Sequence, residues 1–299
     1  MRRFLLGAFA GALILFALSP LSAQPNLDNV QVKAEKVADG IYMLLGAGGN
    51  IGVSVGEDGV FMIDDQYAPL TEKIQAAVKK LSEKPIRFVL NTHWHGDHTG
   101  GNENLGKAGT LIVAHDNVRE RMSTEQFLAA FNNRVPPSPK GALPVVTFND
   151  RVTFHLNGDE IHAFHVDPAH TDGDSVVHFR EADVVHAGDL YFNGIYPFID
   201  VSTGGGIDGV IAAIEEILGL VGPETKIIPG HGPLSNRQEL VSYLAMLKTV
   251  RENVVALIEK GRSQEEIVAA KPTATLDEVW GDGFLEPDVF VGIVYSSLK

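Results

Sequence analysis

The segment THWHGDHTGG, residues 92–101, places three histidines and an aspartate within six positions. It sits at the end of IRFVLNT (86–92), an apolar run that reads as a β-strand. Side chains two apart in extended chain point the same way, so His93 and His95 share a face. Gly96 then turns the chain and aims Asp97 and His98 at a neighbouring point. A fold that accepts this segment needs an open strand end with room beside it for other donors. The chain supplies them in turn or strand-end contexts: His170 in DPAHTDGDS, Asp189 in HAGDLYF and His231 in PGHGP. A closed structural metal site takes four ligands, whereas a catalytic one keeps three protein ligands and an open position. Seven candidates exceed the first and suit two of the second. The chain has no cysteine, so histidine and carboxylate must hold any metal, and no disulfide is available.

The rest of the chain alternates strands and helices. A strand meander occupies 41–45, 51–55 and 60–64, after a lead-in and an edge strand before Asp39. Helical spacing covers Leu70–Leu81, 207–221, about 236–260 and 264–270. Strands are predicted at VTFND, RVTFHL, EIHAFHV, SVVHFR, DVVHAGD and TKIIPGHG, and an apolar stretch closes the chain at Val289–Leu298. Residues 116–143 read as an insertion: a helix in RMSTEQFLAAFNN, then an irregular arm, RVPPSPKGALP, able to form a lid. A loose repeat links the halves. VFMIDDQY, a helix and IRFVLNTHWHG match VVHAGDLY, a helix and TKIIPGHG. Two such units face to face would put two sheets inside and helices outside. They would bring Asp64, the 93–98 cluster, Asp189 and His231 to one edge, where α/β proteins gather active groups.

The N-terminus, MRRFLLGAFAGALILFALSPLSAQP, has two arginines, an apolar run from Phe4 to Leu18 and small residues near Ala23. That is the layout of a secretory signal peptide, predicted over 1–23 with cleavage after Ala23. The run is short for a membrane span of roughly 20 residues. The expected mature chain, 24–299, is one domain with the insertion at about 116–143 and a helical extension at about 236–299. Of 24 basic residues it loses Arg2 and Arg3, leaving 22 against 38 acidic and a net charge of −16. Such a surface repels phosphate backbones, so nucleic acid is excluded as a partner. A periplasmic protein without stable membrane association, acting on a small molecule, is the expectation.

His93-x-His95-x-Asp97-His98, then His170, Asp189 and His231, in this order and spacing, resemble the metallo-β-lactamase superfamily over residues 35–235. The resemblance implies an α/β fold, an αββα sandwich of two mixed sheets flanked by helices, and two zinc ions per chain. By position, His93, His95 and His170 would hold the first and Asp97, His98 and His231 the second, with Asp189 bridging. Asp64 matches the family's first motif, an aspartate that orients ligands from behind. The implied chemistry is hydrolysis: water between the metals, acidified to near neutral pH, attacks a carbonyl. Asp97 would orient that water, and Tyr191, two after Asp189, would donate to the oxyanion or simply pack in the wall.

True class B1 and B2 β-lactamases of this family have a cysteine where this chain has Asp189, which excludes them. Asp189 resembles glyoxalase II and the lactonases, while export argues against the cytosolic thioester of glyoxalase II. The substrate class that remains is a cyclic amide, ester or lactone, with β-lactamase-like activity included. The alternatives are a mononuclear-iron oxidoreductase of the same superfamily and a non-catalytic metal-binding periplasmic protein. Pocket walls are expected from Leu45–Asn50, Phe127–Pro144 and Tyr196–Asp200, mostly apolar, with no lysine placed to grip a carboxylate. The other histidines, His115, His155, His162, His165, His178 and His186, are taken as structural.

Overall fold

A computed structural model describes residues 27–299; the expected leader over 1–23 lies outside the described residues. In chain order, β1 (Lys33–Ala38), β2 (Ile41–Leu45), β3 (Ile51–Gly56) and β4 (Gly59–Ile63) form the meander. Helix α1 (Thr71–Lys79) leads to β5 (Ile86–Asn91), followed by the short helices α2 (Gly96–Thr99) and α3 (Asn102–Lys107). Then come β6 (Leu111–His115), α4 (Asp116–Ser123), the hairpin β7 (Gln126–Leu128) and β8 (Asn133–Val135), and β9 (Val146–Phe148). The second half comprises β10 (Arg151–Leu156), β11 (Asp159–His165), β12 (Ser175–Phe179), β13 (Val184–Phe192), α5 (Ile207–Leu220), β14 (Lys226–His231) and β15 (Ser235–Asn236). Helices α6 (Arg237–Ile258), α7 (Gln264–Ala269), α8 (Asp277–Trp280) and α9 (Pro287–Ser297) finish the chain.

The strands make two large mixed sheets. The first runs β1-β2-β3-β4-β5-β6-β9 and the second β10-β11-β12-β13-β14-β15. In the first, β1 to β4 pair antiparallel and β4, β5, β6 and β9 parallel; in the second only β13 and β14 are parallel. Period-two alternation sorts side chains between layers. Phe61, Ile63 and Leu90 of the first sheet meet Ile161, Ala163, Val177 and Ile228 of the second. Phe154 reaches across, its ring 4.9 Å from Phe61 and 5.4 Å from Phe88. The alternate residues Val60, Met62 and Val89 face outward under Leu70, Ile74 and Val78 of the α1 region. On the far side Val185, Ala187 and Ile227 meet Ile214 and Ile217 of α5, Tyr243 and Leu247 of α6, and Phe290 and Val294 of α9. The order helix, sheet, sheet, helix is the αββα sandwich.

The parallel steps put the C-terminal ends of β4, β5, β13 and β14 at one edge. The chain's repeat of strand-Asp, helix, strand-His is legible there: Asp64 follows β4, His93 follows β5, Asp189 lies in β13 and His231 ends β14. Over 121–133 the structure departs from the expected helix. The helix is α4, which starts at Asp116, capped by His115 accepting from the Asn117 N–H, and stops at Ser123. Thr124 is extended, and FLAAF bends through Asn132, at φ 47°, into the β7–β8 hairpin. Pro136 and Pro137 cannot donate backbone hydrogen bonds and hold the following arm extended.

Candidate metal centre

His93 and His95 leave the end of β5 on one side, and Trp94 turns the other way into a cluster with Val118 and Met122. The His93 Nε2 and His95 Nδ1 atoms are 3.1 Å apart. His170 comes from the loop after β11, which Asp174 ties off by accepting from the N–H groups of His170 and Thr171 and from the Thr171 hydroxyl. Its Nε2 lies 2.9 Å from His95 Nδ1. Asp189 completes this group, with Oδ2 at 3.8 Å from His93 Nε2 and 3.6 Å from His170 Nε2. The second group is Asp97, His98 and His231. Asp97 Oδ2 stands 3.6 Å from His98 Nε2 and 3.4 Å from His231 Nε2. Asp189 reaches this group too, at 3.0 Å to His98 Nε2 and 3.4 Å to His231 Nε2. The seven sequence candidates are thus brought together as two triads with Asp189 between them.

These spacings suit metal ions. Tetrahedral ligands about 2.1 Å from a metal lie about 3.4 Å from one another. Tautomers point the same way. His95 Nε2 faces the Asp200 carboxylate at 3.1 Å and His170 Nδ1 faces the Phe198 carbonyl at 2.8 Å, so both outer nitrogens carry the proton. The inner nitrogens therefore present two lone pairs to each other at 2.9 Å, an arrangement that a cation between them relieves. His98 Nε2 and Asp189 Oδ1 are buried and lack a well-directed hydrogen bond. A buried donor or acceptor left so is costly unless an ion completes it.

The ligands are braced from behind. Asp64 accepts from the Thr92 N–H at 2.8 Å and the Thr92 hydroxyl at 2.8 Å, and meets His98 Nδ1 at 2.7 Å. Thr92 Oγ1 in turn meets His93 Nδ1 at 3.0 Å. One carboxylate therefore orients a histidine of each triad. Gly230 allows the approach of β14, since a Cβ there would fall 2.0 Å from Asp189 Oδ1. The Leu45–Asn50 loop is pinned across the edge: Gly49 N–H donates to Asp97 O, and the Asn50 side chain to Pro229 O and Gly232 O. His186 supports that loop by meeting Asn50 O at 3.1 Å.

Electrostatics separate the triads. Burial pushes His93 well down and His170 down to about 4, which leaves them as neutral donors. Burial opposes charge on His98 and His231 as well. The carboxylates of Asp189 and Asp97 outweigh it, raising His98 well up and His231 to about 9. Burial raises Asp97, but His98 and His231 prevail and hold it at about 2.

Above the triads lies a cavity of about 610 Å³. Tyr67, Trp94, Phe131, Phe192, Phe198 and Phe284 supply its aromatic walls. Phe131, between the hairpin strands, packs tilted against Phe198 with ring centroids 4.8 Å apart, and Phe198 lies 5.6 Å from His95. Among the described residues Arg121 is the one Lys or Arg lining it, and Asp172 holds that guanidinium through two bonds, at 3.2 and 2.6 Å. The expected apolar wall is there, and among the described residues its one basic side chain is paired.

Tyr191 is a correction. Its ring is fully buried and its hydroxyl bonds Asn193 Oδ1 at 2.9 Å and Ser235 Oγ at 2.7 Å, away from the cavity. A register shift in β13 between Gly188 and Phe192 breaks the strand alternation, so Phe192 faces the cavity instead. Sequence reasoning missed Asp200 as a partner of His95, though its carboxylate closes the apolar run YPFID. It also missed Tyr67, which lines the cavity.

Among curated proteins the chain resembles the 2,4-dinitroanisole O-demethylase subunit alpha of Nocardioides sp., at 22% identity over 57% of this chain and 48% of that one. The chain thus spans about half the length of that relative. It is 25% identical to a metallo-beta-lactamase type 2 of Bacillus cereus, over 64% of this chain and 69% of that one. A hydroxyacylglutathione hydrolase of Nitrosococcus oceani is 26% identical over 70% of this chain and 72% of that one. Among solved structures, a metallo-beta-lactamase from Pontibacter korlensis superposes with a TM-score of 0.60 at 20% identity, covering 73% of this chain and 99% of that one. A sec-alkylsulfatase from Pseudomonas sp. gives 0.64 at 18%, covering 89% and 50%. These two likenesses show the fold alone. The family model for the metallo-beta-lactamase superfamily matches residues 46–237, which span both triads from the glycine loop to His231. The chain belongs to the metallo-beta-lactamase superfamily.

Proposed function

We propose that this protein is an exported, periplasmic hydrolase that binds two zinc ions and cleaves a neutral, apolar carbonyl compound: an ester, a lactone or a cyclic amide. The observation that carries the reading is the complete pair of triads sharing Asp189, each with a histidine braced by a carboxylate. Zinc bound there supplies Lewis acidity and lowers the pKa of water to about 7. The chain's own groups do the rest. Asp97 faces the cavity beside His231 and would accept a hydrogen bond from the attacking water, fixing its direction. The aromatic cavity excludes bulk water and holds an apolar substrate against the triads. Arg121, neutralised by Asp172, offers no grip for a carboxylate, which disfavours β-lactams as the main substrate. Relatives named as a metallo-beta-lactamase and a hydroxyacylglutathione hydrolase support hydrolysis as the reaction class. Export rests on the N-terminal leader pattern, and a small-molecule substrate rather than nucleic acid on the cavity and the acidic charge.

The test follows initial rates of zinc-loaded protein on a chromogenic cephalosporin, an aryl ester and an acyl lactone, with Asp97→Ala as the control. Ester or lactone cleavage that disappears in the control supports the reading. Dominant cephalosporin turnover would make the protein a β-lactamase. Silence on all three, with one iron per chain after native purification, would sink it.

A further inference from the structure

Tyr67 occupies the place that Tyr191 was expected to fill. It lines the cavity beside Asp97, Asp189 and His231. It is half-buried, and among the described residues its hydroxyl has no hydrogen-bond partner. The segment that carries it is held in a costly conformation. Asp64 and Gln66 both take positive φ, 63° and 56°, without being glycine. Such backbone costs on the order of 1–3 kcal/mol per residue and persists only when its surroundings enforce it. Here they do. Gln66 donates to Gly49 O at 2.7 Å and accepts from the Gly101 N–H, Asp65 N–H donates to His98 O, and Asp65 Oδ1 accepts from the Gly101 N–H. Every one of those bonds ties the 64–67 turn to the glycine loop or to the segment that bears Asp97 and His98. Gly48, at φ 93°, lies between them; a Cβ there would be 2.9 Å from Asp97 Cβ and 3.2 Å from Tyr67 Cε2. The ring edge of Tyr67 is thus set against the second triad across a glycine.

We propose that Tyr67 is a catalytic residue that donates its phenolic hydrogen bond to the substrate oxygen that gains negative charge during hydrolysis. This rests on the hydrolase reading above. Burial and the carboxylates of Asp97 and Asp189 push the phenol up to about 12, so it remains a donor through the working pH range. In the reaction, the oxygen of water joins the acyl carbon, the bond from that carbon to the leaving atom breaks, and the leaving atom takes a proton of that water. Tyr67 stabilises the charge and keeps its own proton. Two other polar side chains of the wall are engaged elsewhere. Thr99 donates to His95 O, and Gln126 donates to Arg121 O and Thr124 Oγ1.

The experiment uses the full chain loaded with zinc, p-nitrophenyl butanoate as substrate, and the p-nitrophenyl monoester of propylphosphonic acid as a tetrahedral, anionic mimic. Tyr67→Phe keeps the ring, and bound zinc is counted for both proteins. A lost oxyanion donor costs about 10²-fold in kcat. The expected result is that loss with KM within about twofold, the mimic bound at least about tenfold more weakly, and zinc content unchanged. Unchanged kcat and unchanged affinity for the mimic overturn the proposal. A loss of kcat that follows a loss of zinc also overturns it, because Tyr67 would then only support the loop. If the parent protein cleaves no substrate yet Tyr67→Phe still weakens the mimic, the hydrolase reading fails and the donor role of Tyr67 stands. If the parent neither cleaves nor binds the mimic, both fall.

Discussion

The two triads share Asp189 but are built differently. His93, His95 and His170 are buried, and each has its outer nitrogen fixed: by Thr92, by Asp200 and by the Phe198 carbonyl. In the second triad only His98 is sealed; the side chains of Asp97 and His231 are each 21% exposed to the cavity. His231 is held largely by stacking on Phe192, with ring centroids 4.9 Å apart. The first triad therefore offers neutral, pre-oriented nitrogens, and the second offers charge and access. Rigid neutral ligands favour retention of a metal, whereas a cavity-facing carboxylate can follow the substrate and its water. Under the proposed function, anchoring falls to the first triad and chemistry to the second.

Asp97→Ala tests that division with the largest effect. Metal acidification and charge stabilisation are worth several kcal/mol, and each 1.36 kcal/mol is a factor of ten in rate. Hydrolysis should fall by at least about 10³-fold, while metal analysis still finds one ion per chain held by the first triad. Loss of both ions would show that the triads do not load separately.

Next in size is the pair Asp64→Asn and Asp200→Asn. Removing a carboxylate behind a ligand costs about 10–100-fold in metal affinity. The Asp200 carboxylate meets His95 alone among the candidate ligands of the described residues, held in place by donation from the Ser202 and Thr203 hydroxyls, while its backbone N–H, which the substitution keeps, donates to His170 O. Asp64 reaches His98 directly and His93 through Thr92. Chelator competition should therefore show one weakened ion for Asp200→Asn and two for Asp64→Asn. Equal and single-site losses in both variants would remove the distinction drawn between the braces.

Tyr191→Phe sharpens the comparison from outside the site. Deleting its hydroxyl leaves Ser235 and Asn193 one partner short, a cost of about 1 kcal/mol. The Tm should fall by about 2–4 °C with kcat unchanged. A fall in kcat with an unchanged Tm would restore Tyr191 to the reaction.

Why the sequence named Tyr191 and missed Tyr67 shows what local patterns carry. The gathering of the seven candidate residues at one edge was legible because strand ends and glycine turns fix where a short side chain points. The sandwich was legible because the repeat of strand-Asp, helix, strand-His has one compact solution. Tyr191 was read from its place two after Asp189, and an irregularity of β13 between Gly188 and Phe192, which no spacing reveals, breaks the strand alternation there. Tyr67 depends on two non-glycine residues in the left-handed region, a choice made by long-range bonds to Gly49 and His98. Asp200 lies 105 positions from His95, and the β7–β8 hairpin replaces a helix by bending at Asn132. Each missed feature is set by tertiary contacts that override local preference.

The smallest effect concerns the wall of the cavity rather than its floor. His115 caps α4, the helix that presents Arg121 and Met122 to the cavity, by accepting from the Asn117 N–H at Nδ1. Its Nε2 faces Asn149 O at 3.2 Å, and its ring stacks on His165 at 3.7 Å. Burial, with His165 adding to it, lowers its pKa below 6.5, while the Asn149 carbonyl and then Asp116 and Asp172 pull the other way. The folded state thus binds fewer protons than the unfolded state between that lowered value and 6.5. Stability from this group is fully present above 6.5 and is lost as the pH falls below it. Protonation also takes away the lone pair that caps the helix. Asparagine is a good N-cap and does not titrate in this range. Thermal melts of metal-loaded His115→Asn should therefore lose Tm less steeply than the parent between about pH 6.5 and 5. Identical slopes would place the acid sensitivity of the fold elsewhere, and leave the α4 wall as rigid at low pH as the anchoring triad beneath it.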